Sequence, residues 1–249
     1  MSLATKPGVK SISNLYGRLL LFVLLMLITV ILTSESAGFF ENDERGQKFG
    51  GLIYSFFCAG FVFSSIPVLS QLGYSKKVRK IVSILGCISV VGMLVVSNPF
   101  LDLLPNDLKP GMFSLFHLVL MIAEILFARV LLIDIFGNTE TQTDHIWGAI
   151  VVYYLLIMIF AEVYEILCII QPGMLGQVYF MGFPNYIHII MFSINAITGM
   201  DAIYPQAHPL FFKLGNLENL IGNLFLVVIL GRLLSHPIKK LKQPNEDLT

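Results

Sequence analysis

Apolar residues gather into six stretches, roughly 14–33, 51–72, 81–98, 113–136, 146–170 and 211–235, separated by shorter polar segments. About 20 apolar residues carry an α-helix across the hydrocarbon core of a bilayer, so each stretch predicts a membrane-spanning helix. A seventh stretch, 184–197, is about 14 residues long. It is too short to cross and predicts a re-entrant helix between the fifth and sixth spans. The pattern therefore describes an all-α membrane protein with six transmembrane helices and one re-entrant helix.

The polar segments fix an orientation. Lys6, Lys10 and Arg18 precede the first span. Lys76, Lys77, Arg79 and Lys80 lie between the second and third, and Arg232, Lys239, Lys240 and Lys242 follow the sixth. These regions alternate so as to share one side, and the opposite side receives Arg45, Lys48, Lys109 and Lys213. The excess of basic residues marks the cytoplasmic side, so both termini are expected in the cytoplasm, as an even number of spans requires. The polar loop 137–145 has no basic residue and supports neither side. The first apolar run, Leu19 to Leu32, resembles a signal sequence, but Ser34-Glu35-Ser36-Ala37 is a poor cleavage site, and an uncleaved first span is expected.

Composition agrees with the pattern. The chain of 249 residues is 56% hydrophobic and 13% charged, against about 25% charged in ordinary soluble domains. Formal net charge is zero, which gives no argument for nucleic acid as a partner. Cys58, Cys87 and Cys168 all fall in apolar stretches without zinc spacing and read as small buried hydrophobes. There is no nucleotide-binding loop and no H-E-x-x-H, nothing that assembles an acid–base set for an enzyme, and no internal repeat of the kind that marks many transporters. No cofactor is expected, and the location is an inner or plasma membrane.

The segment from Phe183 to Pro237 carries the most specific chemistry. Pro184 suits the first turn of a helix. Asn195, Thr198 and Gly199 close the short helix with polar and permissive residues. Irregular backbone at membrane depth survives only where protein buries it or water fills a cavity beside it, so this segment implies a cavity or a pore. The order Ala196-Ile197-Thr198-Gly199-Met200-Asp201-Ala202-Ile203-Tyr204-Pro205, then Leu217-Glu218-Asn219-Leu220-Ile221-Gly222-Asn223-Leu224-Phe225 and Gly231-Arg232-Leu233-Leu234, resembles the pore domain of bacterial two-helix-type potassium channels. Those channels run pore helix, T-T-x-G-Y-G-D-I-x-P, inner helix. The resemblance covers about a fifth of the chain and is strongest in the inner helix. It implies a homotetramer with the pore on the symmetry axis, a permeant cation (K+ or Na+), and a selectivity filter at Thr198, Gly199, Met200 and Asp201. Asn195, Glu218, Gly222, Phe225 and Gly231 would be supports, with Glu218 bracing the pore helix.

The filter departs from the family. Potassium selectivity there uses rings of backbone carbonyls in T-V-G-Y-G loops. Here Gly199 is kept, the aromatic is Met200, and the second glycine is Asp201. Four copies of Asp201 would make an acidic ring that attracts cations, or Asp201 is a turn residue at the outer mouth. Altered or relaxed selectivity is expected, and loss of conduction is the further alternative. Along the last span, positions near 222, 225, 229 and 232 share a face, which lines the inner cavity or packs closely through its small residues.

Ionisable residues inside spans are costly and mark function or a polar clamp. His117, Glu124, Arg129 and Asp134 lie in the fourth span and Glu162 and Glu165 in the fifth. His117 and Glu124 share one helix face, as do Glu162 and Glu165. Counted from the ends of the apolar stretches, Glu124 and Glu162 lie about 16 Å and 12 Å deep, so the two acids are expected to meet, with Arg129 near Glu124 or reaching toward the interface. The group reads as a clamp between bundle and pore, or as a pH or ion sensor. One arginine in the fourth span is too few for a voltage sensor, since each charge contributes about 2.3 kcal/mol per 100 mV. The expected organisation is a four-helix bundle over 1–140, a pore domain over 141–236 and a disordered tail over 237–249. A cation channel in the lipid bilayer is the leading expectation; a carrier using intramembrane carboxylates, or a non-conducting scaffold, is the alternative.

Overall fold

The computed structural model describes residues 12–35, 56, 59–70, 75–97, 105, 107–137, 142–176, 183–200 and 204–234. The described residues form seven helices. These are α1 (Ile12–Glu35), α2 (Ala59–Ser70), α3 (Lys76–Ser97), α4 (Lys109–Gly137), α5 (Gln142–Ile170), α6 (Phe183–Thr198) and α7 (Pro209–Leu234). Each predicted apolar stretch falls on one of them. Residues 51–55, 57, 58, 71 and 72 of the stretch 51–72, with Cys58 among them, as well as Asp201 and the tail 237–249, lie outside the described residues.

Helix α3 starts earlier than hydropathy suggests. Lys76, Lys77, Arg79 and Lys80 read as loop residues, yet they form its first turns. Ser75 caps the helix: its hydroxyl accepts from the Val78 amide at 3.4 Å and its carbonyl from the Arg79 amide at 3.2 Å. Lysine and arginine are good helix formers, so a capped basic stretch continues the helix out of the apolar zone. Helix α4 likewise begins at Lys109, with Pro110 in its first turn.

Helix α5 is the hub. It packs against α1, α4, α6 and α7, while α4 also packs against α3. Helix α2 wedges between α1, α3 and α4: Gly60 lies under the Phe22 ring, Gly86 under Val62, and Phe61 meets Phe127 edge-on at 6.1 Å. The Tyr16 hydroxyl donates to Asp134 at 3.0 Å, and Arg232 donates to the Phe136 carbonyl at 3.3 Å. The beginning of α1 and the ends of α4 and α7 are thereby gathered at one end of the bundle.

Two helices, Ile146–Ile170 and Pro209–Arg232, are long and apolar enough to cross a membrane; 56% of the first window is buried in the protein and 22% of the second, so α5 is core and α7 is peripheral. Outward faces are apolar on other helices too. Ile81, Ile84, Ile88 and Val91 are exposed on α3, and Leu115, Leu118, Ile122 and Ile125 on α4. A water-facing helix would carry polar residues there.

Candidate functional site

The site is built around α6. At 16 residues it is about 24 Å long, short of a bilayer core of about 30 Å. Its apolar residues Ile187, Ile189, Ile190, Phe192 and Ile197 are buried. A short helix this deeply packed must also satisfy its polar side chains, and it does so at three levels.

At the first turn, the Tyr186 hydroxyl donates to Glu162 Oε1 at 2.5 Å, and Asn185 Nδ2 donates to Glu165 Oε2 at 3.1 Å. The second oxygen of Glu162 meets His117 Nδ1 from α4. The His117 ring packs edge-on against Phe113 at 4.4 Å. His117, Glu162, Glu165, Asn185 and Tyr186 are all buried, so three helices are joined through a buried polar cluster.

At the middle of α6, the Ser193 hydroxyl lies within hydrogen-bond reach of the Ile157 carbonyl at 2.9 Å and of Glu218 Oε1. The Tyr164 hydroxyl donates to Glu218 Oε2 at 2.9 Å. Glu218, fully buried, therefore bridges α5, α6 and α7. The Tyr164 ring also meets Phe192 edge-on and lies tilted against Phe211, at centroid distances of 5.0 and 4.9 Å.

At its last turn α6 closes on itself. The Met200 amide donates to the Asn195 carbonyl at 2.9 Å and the Gly199 amide to the Ala196 carbonyl at 3.1 Å. Gly199 has φ +69°. This pair of bonds with a left-handed glycine is a Schellman cap. A Cβ at Gly199 would lie 2.8 Å from Asn219 Nδ2, which donates to the same Ala196 carbonyl at 3.1 Å. Asn223 in turn donates to Asn219 at 2.9 Å. Thr198 is still helical and donates back to the Ile194 carbonyl at 2.6 Å. Thr198 to Met200 thus form a capped helix end with exposed side chains, beside an open groove of about 300 Å³ that Asn195, Asn216 and Asn219 also line. His188 ties α6 to Tyr204 beyond the loop at 2.7 Å.

The structure sorts the other predicted positions. The face of α7 containing Gly222, Phe225, Ile229 and Arg232 turns inward, because Gly222 sits against Ile197, where a Cβ would come within 2.5 Å of its side chain. Within the chain, Gly222 packs closely against α6. Gly231 is exposed with open space around it. Arg129 is exposed and lies outside the cluster. Glu124 does not take Glu162 as a direct partner, since His117 occupies that place. Among the predicted clamp residues, His117, Glu162 and Glu165 are brought to α6; Asp134 serves α1 instead. Sequence reasoning missed Tyr164, Asn185, Tyr186 and Ser193, which complete the cluster, and the asparagine row at 216, 219 and 223. That row recurs every three or four residues in a helix whose charged residues are Lys213, Glu218 and Arg232, and its spacing was a usable signal. Comparison with family models, with curated proteins and with solved structures returns no match.

Proposed function

We propose that the protein is a cation channel of six transmembrane helices whose pore is built from α5, the α6 loop and α7, four chains surrounding one axis. The observation that supports it most is α6: a buried helix too short to span, capped at Gly199 and braced to the following long helix by Glu218. The apolar outer faces of α3, α4 and α7 suit lipid or further copies of the chain. The start of α1 and the end of α7 share one end of the bundle, which suits termini on one side of a membrane.

Selectivity is relaxed in this reading. The helix runs through Thr198, and Gly199 closes it as a left-handed cap. A ladder of carbonyls like that of the potassium channels needs those positions extended. Side chains at the groove, and an acidic ring of Asp201, then set which ions pass. Replacing Asp201 by asparagine is expected to lower unitary cation conductance and weaken divalent block. Unchanged permeation would remove Asp201 from the ion path.

A coupled carrier is the second reading, favoured by the buried carboxyls of Glu124, Glu162 and Glu165. It requires accumulation of a solute against its gradient when a proton gradient is imposed on liposomes. Purely passive flux would exclude it.

A further inference from the structure

Glu124 stands apart from the rest of the cluster. Its side chain, 8% exposed, points into a cavity of about 30 Å³ between α2, α3 and α4. The walls are apolar (Phe61, Val82, Leu120 and Phe127), except for the hydroxyl of Ser65. Ser65 donates to the Val62 carbonyl at 2.7 Å and keeps its acceptor lone pairs. Glu124 Oε2 is buried and has no hydrogen-bond partner among the described residues, and the same holds for His117 Nε2. Glu124 is close enough to Glu162 to interact with it electrostatically.

The chemistry of these groups is restrictive. An ionised carboxylate with an unpartnered oxygen in apolar surroundings is costly, and buried acids meet that cost by holding a proton. A cavity of this size admits one water, since about 10–15 Å³ is the minimum. The Ser65 hydroxyl supplies a second polar contact for it. We propose that Glu124 and this cavity form a proton-binding site whose ligand arrives as hydronium. The proton passes to a Glu124 oxygen, forming the carboxylic acid, and the water left behind remains in the cavity between Glu124 and Ser65.

Occupancy of this site is felt at α6. The link is Glu162 on α5, which interacts electrostatically with Glu124 and itself holds His117 of α4 and Tyr186 of α6. Proton uptake at Glu124 removes a negative charge that repels Glu162. Glu162 then holds His117 and Tyr186 more firmly, and the first turn of α6 is steadied. Proton loss restores the repulsion and loosens that turn.

The proposal rests on the buried cluster and not on the pore, so it is tested without current. Infrared difference spectra of the lipid-reconstituted chain across a pH titration should show the carbonyl stretch of a protonated carboxyl. Glu124→Gln should remove that band, and Ser65→Ala should shift it while leaving the fold intact. Protection of the amides of Asn185 and Tyr186 from hydrogen exchange, taken relative to the intrinsic exchange rate at each pH, should rise about tenfold on acidification, the equivalent of one pK unit of coupling. In Glu124→Gln that protection should be high at every pH. A band that survives Glu124→Gln overturns the proposal, as does a band indifferent to Ser65→Ala with exchange that follows the wild type. Cation currents without the Glu124 band would leave the pore reading standing alone; the band without currents would do the reverse.

Discussion

Glu218→Ala is expected to cost about 2–4 kcal/mol of stability, from the Tyr164 hydroxyl left without an acceptor at about 1–3 kcal/mol and from the cavity that remains, while Ser193 keeps the Ile157 carbonyl. Tyr164 and Ser193 both turn to this one carboxyl, and both are buried. Neither can reach water when it is gone. The loss should fall on the junction of α5, α6 and α7, because Glu218 joins all three helices at one point, while the Asn219 bond to the Ala196 carbonyl and the packing of Gly222 on Ile197 hold only α6 to α7. Glu218→Gln keeps an acceptor oxygen and should cost clearly less. Unfolding in mixed micelles measures both. A change below about 0.5 kcal/mol for the alanine variant, the range of a neutral surface substitution, would show that Glu218 does not bridge these helices.

His117→Leu should be at least as damaging, by about 3–5 kcal/mol, for a different reason. The leucine fills much of the space beside Phe113, so the cost comes from Glu162, which loses its basic partner in a buried environment. Removing the stranded acid as well should recover part of that loss. The double variant His117→Leu with Glu162→Leu is expected to be more stable than the sum of the single losses predicts, by about 1–3 kcal/mol of coupling. Tyr186 still loses its acceptor in the double variant, so recovery is incomplete. Additive effects in the same micelle assay would mean that the two side chains do not form a pair.

The helices were legible in the sequence because length and hydropathy decide them, and the short apolar run at 184–197 already stood out as α6. Their ends were less so. Hydropathy begins the fourth span at 113, whereas the helix begins at Lys109. Four residues are one turn, about 6 Å, and that shift changes the partners. Measured from the true ends, His117 and Glu162 each lie eight residues in, about 12 Å deep, on antiparallel helices. Glu124 lies deeper by two turns, so the acid predicted to meet Glu162 gives way to the histidine. Ser193 and Glu218 are 25 residues apart on different helices, and no local pattern joins them; only the crossing of α6 and α7 does. Gly199 was recognisable as a helix-ending residue, but the Schellman cap depends on where α6 stops, which the preceding Asn195 and Thr198 left open by several residues.

The pore itself is tested most directly by its electrical behaviour. The 249-residue chain, purified and fused into planar bilayers under a potassium chloride gradient, should give discrete unitary current steps. Their reversal potential should lie toward the potassium equilibrium potential and move little when sodium replaces potassium on one side. A reversal potential at that of chloride, or bilayers that remain silent although they contain the folded protein, would contradict the channel.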